Sequence, residues 1–330
     1  MGGVTGCLSY KGSVDSAGRP TSALIWLHGL GDTERNWQTV LTDSVLPTIE
    51  AVSGSCMLIA PRAPRAPVTC NFGSIMGRWF DMKELPVNAG CKDRDYGCSL
   101  MDAQSSARKV HSIIEKIREH GIPAEKIAVG GFSQGAAVAM LSALQYSEPL
   151  ACCIAFSGLL LGGDQLSSLV NQENRGLEIL WCHGEHDRII LPSLQRVGCA
   201  ALKRVGLQVD QRRYPTGHST HPDALVQAAD FLREHLEASP CDETCTQACE
   251  DVQQRIPSTR HSCNPTSESC NTSRAPAGVD GKRRNRSTRL LARTKEHVFG
   301  ASISLSPPVE ALGGDNSTGD EDRFFVSLKR

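Results

Sequence analysis

The sequence predicts an α/β fold, a mostly parallel sheet with helices on both faces. Short apolar runs recur between residues 21 and 236, and amphipathic stretches of helical length separate them. Several runs are apolar without interruption, the pattern of strands covered on both sides. In chain order, strands are expected at Ala23–Leu27, Met57–Ala60, Ile127–Gly130, Cys152–Phe156, Ile179–Cys182 and Gln208–Arg213. Met101–His120 carries Val110, Ile113, Ile114 and Ile117 at helical spacing and stops at Gly121. Gln134–Gln145, rich in Ala, Leu and Met, and then Leu194–Val205 and Ala224–Leu236 continue the alternation. Strands that alternate with helices in this way are joined by right-handed crossovers.

Composition narrows the function classes. The 330 residues hold 35 Lys+Arg against 36 Asp+Glu, a net charge of −1, which supplies no field to hold nucleic acid. No run of 18 apolar residues exists to cross a membrane as a helix. Residues 1–10 lack the pattern of a secretory signal, so the 14 cysteines are expected as reduced thiols and the location as cytoplasmic. Character changes near Pro240. The stretch 241–330 has only 12 Leu, Ile or Val, three Phe and no Trp or Tyr, too little apolar surface to offset its ordering entropy. The expected organisation is an N-terminal extension (1–20), one α/β domain (21–240) and a disordered tail (241–330).

The chemistry centres on Gly131-Phe132-Ser133-Gln134-Gly135, a G-x-S-x-G pattern between an apolar strand and a helix. So tight a turn requires small residues two before and two after the serine, and Gly131 and Gly135 satisfy it. Ser133 would project from the carboxyl edge of the sheet. A serine hydroxyl needs a base, and the base an orienting acid, which follow such a turn in the order acid then histidine. Asp187, just past the apolar strand and turn at Leu180-Trp181-Cys182-His183-Gly184, is the candidate acid, with Glu185 its neighbouring competitor. His218, after the turn Tyr214-Pro215-Thr216-Gly217, is the candidate base; His221, ahead of Pro222, competes but fits a helix start. Two amides must receive the oxyanion: that of Gln134, after the nucleophile, and that of Leu30, in the glycine-rich turn His28-Gly29-Leu30-Gly31-Asp32. His28 and His183 are expected to brace their turns.

These motifs resemble the acyl-protein thioesterase, lysophospholipase and small carboxylesterase branch of the α/β-hydrolases. The resemblance spans about residues 21–236 and includes Ala63-Pro64-Arg65-Ala66-Pro67-Val68-Thr69 and Trp79-Phe80-Asp81. It implies the α/β-hydrolase fold, a Ser133–Asp187–His218 triad, Leu30 and Gln134 as oxyanion donors, and hydrolysis without cofactor or metal. The leading expectation is depalmitoylation of S-acylated proteins with transient membrane-surface contact. The alternatives are a lysophospholipase or short-chain carboxylesterase on the same triad or, from another class, a non-catalytic lipid or protein binder. Ala136 stands where family members often carry glycine. The segment Val68–Pro86 offers Phe72, Ile75, Met76, Trp79 and Phe80 as walls of an acyl groove or, equally, as core.

Other signals are weaker. Cys241, Cys245 and Cys249, with His261, Cys263 or Cys270, have x3 spacing that fits free thiols better than zinc. The basic run Lys282–Arg286 is read as solvated, and Asn271, Asn285 and Asn316 as glycosylation acceptors that go unused in a cytoplasmic protein. Gly6 stands where a myristoylation signal needs Ser or Thr, and Cys7 is a candidate for reversible acylation by analogy with relatives.

Overall fold

A computed structural model describes residues 7–10, 20–53, 56–91, 93, 95–236, 304–306 and 325–327. In chain order the elements are Cys7–Tyr10 (β1), Ser22–Leu27 (β2), Glu34–Ser44 (α1), Leu46–Ser53 (α2), Cys56–Ala60 (β3), Arg65–Val68 (β4), Ser74–Gly77 (β5) and Leu100–Glu119 (α3). They continue with Ile127–Phe132 (β6), Gln134–Gln145 (α4), Cys152–Phe156 (β7), Leu166–Leu169 (α5), Glu178–Gly184 (β8), Pro192–Arg204 (α6), Gln208–Tyr214 (β9) and Pro222–Leu236 (α7). Ser304–Ser306 (β10) and Phe325–Ser327 (β11) pair antiparallel with each other. The rest of the predicted tail, with its cysteines, basic run and asparagines, lies outside the described residues.

The principal sheet has the order β1-β3-β2-β6-β7-β8-β9. Every neighbouring pair from β3 to β9 is parallel, and β1 alone runs antiparallel, against β3. Successive side chains of the central strands enter opposite cores. Ile25, Leu27, Val129, Ile179 and Trp181 join the core that holds the buried residues of α3, α4 and α6. Leu24, Trp26, Ile154, Phe156 and Leu180 are equally buried outside that cluster, on the side where α1, α2 and α7 pack together. On that side Trp37 of α1 meets Trp26 and Phe132 with ring centroids 5.0 and 5.5 Å apart. Burial of each such side chain contributes about 1.5–3 kcal/mol, which accounts for β2, β3, β6, β7 and β8; β9 has no buried residue and forms through its seven-residue parallel pairing with β8.

The sequence reading missed the elements whose local signal is thin. The edge strand β1 falls within the supposed N-terminal extension and depends on β3 for its partners. The β4–β5 hairpin carries Pro67 and is largely exposed, as suits a separate two-stranded ladder. Helix α1 has few apolar residues. Its start is held instead by Asp32, whose carboxylate accepts from the Thr33 amide, Asn36 Nδ2 and Trp37 Nε1 at 2.7, 2.7 and 3.0 Å.

Candidate active site

Strand β6 is buried along its whole length and delivers Ser133 at its carboxyl end. Ser133 has φ 56° and ψ −120°, a left-handed backbone costing about 1–3 kcal/mol that the surrounding packing must hold. Its amide donates to the Phe156 carbonyl at 2.8 Å, tying the turn to β7. The two flanking glycines have no room for a side chain. A Cβ on Gly131 would lie 2.5 Å from the Gly135 carbonyl carbon, and one on Gly135 2.1 Å from the Leu27 oxygen. The methyl of Ala136 is accommodated because Gly158 faces it; a Cβ there would come within 2.6 Å of the Ala136 Cβ.

Strands β8 and β9 lie in register to their ends, His183 opposite Arg213 and Gly184 opposite Tyr214. Beyond them the loops close on each other, with the Glu185 and His186 amides donating to the Tyr214 and Thr216 carbonyls at 2.8 and 2.9 Å. This brings Asp187 and His218 together under Ser133. His218 Nδ1 lies 2.7 Å from Asp187 Oδ2, and His218 Nε2 lies 2.9 Å from Ser133 Oγ. A carboxylate only accepts, so Nδ1 carries the proton, and Nε2 is left to accept from the serine hydroxyl. All three residues are buried.

Asp187 is held at both oxygens. Oδ1 accepts the Ile189 and Ile190 amides, both at 2.9 Å. Oδ2 faces two imidazoles, since His183 Nε2 stands 3.4 Å away while donating to the Ile190 carbonyl at 2.8 Å. Burial pushes the Asp187 carboxyl up, but hydrogen bonds from His183 and His218 outweigh it and hold the group well below the ordinary carboxylate range. The two competitors are elsewhere. Glu185 is exposed, and His221 stacks on Tyr214 while its Nδ1 accepts the Asp223 amide at the start of α7.

Leu30 and Ser133 line one cavity, together with Cys70, Asn71, Met76, Met82, Leu85, Ile189 and Ile190. It holds about 420 Å³ of empty space, counting the open mouth. Among these residues no side chain is charged, and most are aliphatic or thioether. Of the five predicted groove residues only Met76 is among them. Phe72 and Ile75, on the β4–β5 hairpin, are 65% and 53% exposed. Trp79 and Phe80 correct the expectation further: they are buried in the main core, where their backbone bonds the Gln134 side chain of the serine turn and the Trp79 indole donates to the His28 carbonyl. Apolar character alone does not separate a cavity wall from core. Ile189 and Ile190 were the missed walls; an apolar pair directly after the acid loop was the available signal.

The turn at His28–Asp32 is braced as expected. His28 Nδ1–H donates to the Gly29 carbonyl at 2.8 Å, and Nε2 accepts the Ala63 amide at 3.0 Å. Only a neutral ring can do both, and burial holds the His28 pKa below its ordinary value. The Gly31 amide donates to Gly77 at 2.8 Å. Among the described residues no cluster of His, Cys, Asp and Glu is arranged to hold a metal.

The chain is similar in sequence and fold to proteins of known type. Residues 11–236 match the phospholipase/carboxylesterase family. A probable carboxylesterase of Oryza sativa subsp. japonica is 34% identical over 225 residues, 68% of this chain and 81% of that one. Acyl-protein thioesterase 1 of Gibberella zeae is 31% identical over 227 residues, 67% of this chain and 93% of the relative. The crystal structure of SOBER1 from Arabidopsis thaliana superposes with a TM-score of 0.59 at 28% identity, covering 66% of this chain and 99% of that one. On that match the chain belongs to the phospholipase/carboxylesterase family of α/β-hydrolases and is a hydrolase of the serine-esterase type.

Proposed function

We propose that the protein is a carboxylesterase that cleaves esters of aliphatic acids through Ser133, His218 and Asp187. The observation that carries this reading is the continuous hydrogen-bonded chain from Asp187 to Ser133 at an uncharged cavity. His218 takes the hydroxyl proton as Ser133 Oγ attacks the acyl carbonyl, and Asp187 stabilises the imidazolium that results. The amides of Leu30 and Gln134 receive the oxyanion; Gln134 opens α4, where backbone N–H groups have no helical acceptor. Collapse of the tetrahedral intermediate passes the proton from His218 to the leaving alcohol. Water, deprotonated in turn by His218, then releases the acid and restores the serine. Leu30, Met76, Met82, Leu85, Ile189 and Ile190 receive the acyl chain.

The carboxylesterase reading is favoured over protein depalmitoylation by similarity to two relatives named as probable carboxylesterases. Thioester cleavage on the same residues is the second reading, supported by the similarity to acyl-protein thioesterase 1. Both share the acyl-enzyme and differ in the leaving group. Covalent labelling by a fluorophosphonate tests the common step: the wild-type protein is expected to label and Ser133→Ala is not. Labelling that persists in the variant, or a folded wild type that never labels, overturns the assignment. Rates on p-nitrophenyl esters of increasing chain length, beside a palmitoyl-cysteine peptide, then rank the two readings; faster peptide deacylation would reverse their order.

A further inference from the structure

The two proposed oxyanion amides belong to different loops, and one segment of chain joins those loops from behind. Trp79 Nε1–H donates to the His28 carbonyl at 2.7 Å, two residues before Leu30. The Trp79 amide donates to Gln134 Oε1 at 3.1 Å, and Gln134 Nε2–H donates to the Phe80 carbonyl at 2.9 Å. The Gln134 side chain is therefore read on both sides by the backbone of residues 79 and 80. The far side of Trp79 is fixed too, because Ser106 Oγ donates to its carbonyl at 2.6 Å. Trp79 is 4% exposed, and its ring lies 5.3 Å from the His28 ring, centroid to centroid. The loops themselves are already in contact, since a Cβ on Gly135 would stand 2.6 Å from the same His28 oxygen that accepts the indole N–H.

We infer that Trp79 is a positioning residue that sets the distance between the Leu30 and Gln134 amides. The inference rests on the Ser133 hydrolase reading above and adds a residue that touches no substrate. Its physical content is geometric. An oxyanion hole works only if both donors stand about 2.7–3.1 Å from where the charge develops. A clamp that bonds to one loop through its indole and to the other through its amide transmits any shift of one donor to the other. Trp79→Phe keeps the buried aromatic and the backbone bonds but removes the donor to His28.

The test is steady-state hydrolysis of p-nitrophenyl butyrate by Trp79→Phe. Thermal unfolding and the affinity for an alkyl boronic acid, which forms a tetrahedral anion on the serine, are measured alongside. The expected result is a kcat lowered by about 10- to 100-fold with KM nearly unchanged, the signature of an interaction made in the transition state. Boronate affinity should fall by a similar factor. A purely structural role would lower the melting temperature while the folded fraction kept wild-type kcat and boronate affinity, and that outcome overturns the inference. If Trp79→Phe does not fold, Gln134→Met removes the other half of the clamp, keeps the backbone amide and carries the same expectations. A wild-type protein inert to both ester and fluorophosphonate refutes the hydrolase reading itself; a reactive wild type with a kinetically silent Trp79→Phe refutes only the clamp.

Discussion

Replacement of Gly184 by alanine tests how the acid and histidine loops are held together. Gly184 ends β8, and a Cβ there would lie 2.1 Å from the Gly217 carbonyl oxygen and 2.5 Å from that of Thr216. Ordinary contact begins near 3.4 Å, so the loops must part by more than an ångström or the strands must shift. Both obstructing atoms are backbone, which has no rotamer to move aside. Gly217 directly precedes His218, and Asp187 follows Gly184 by one turn. A comparable displacement takes the 2.7 Å contact between His218 Nδ1 and Asp187 Oδ2 beyond hydrogen-bonding distance. Overpacking of this kind costs about 1–3 kcal/mol of stability. An ångström of misplacement at a reacting group costs about 100-fold in rate, equal to about 2.7 kcal/mol of barrier. The assay is kcat on p-nitrophenyl butyrate together with a urea unfolding curve. Gly176→Ala is the control, because its Cβ would meet no atom within 4 Å; it should leave both quantities near wild type. A Gly184→Ala protein with wild-type kcat and stability would refute the argument that loop contact sets the Asp187–His218 geometry.

Two more expectations follow from packing and from charge. Gly158→Ala should destabilise by about 1–3 kcal/mol through collision with Ala136. Moving the methyl across the contact, as Ala136→Gly with Gly158→Ala, should recover most of that loss apart from the ~1 kcal/mol cost of a helical glycine; strictly additive urea midpoints would contradict the contact. His28 is buried as the neutral ring with its pKa lowered from 6.5. The unfolded chain therefore binds a proton near pH 6.5 that the folded chain refuses until lower pH. Its contribution is fully present above pH 6.5 and is lost as pH falls toward the folded value, by at most ~1.4 kcal/mol per pH unit. His28→Gln, which can still accept the Ala63 amide, should show a smaller drop in melting temperature between pH 7.5 and 5.5 than wild type; equal drops would exclude a buried neutral His28.

Much of the sheet and the serine turn could be read directly because their causes are local. A fully buried parallel strand must be an apolar run, and a strand that turns at once into a helix must flank its middle residue with glycines. Ser133, Gly131 and Gly135 therefore announce themselves within five residues. The edge strand β1 and the Pro-bearing hairpin did not, because their hydrogen bonds are supplied by distant partners and their own residues carry little burial signal.

Sequence by itself determined which residue types could do acyl chemistry and their order along the chain, since that order follows from the strand ends that present them. Tertiary structure decided the choices between neighbours. It places Asp187 rather than Glu185, and His218 rather than His221, in the hydrogen-bonded chain to Ser133, through the approach of the β8 and β9 loops permitted at Gly184. Trp79 and Phe80 face the core, while Ile189 and Ile190 line the cavity. In the first two choices the candidates share the same chemistry and lie within a few residues of one another. Only distances set by segments far away in the chain distinguish them, and no local pattern carries those distances.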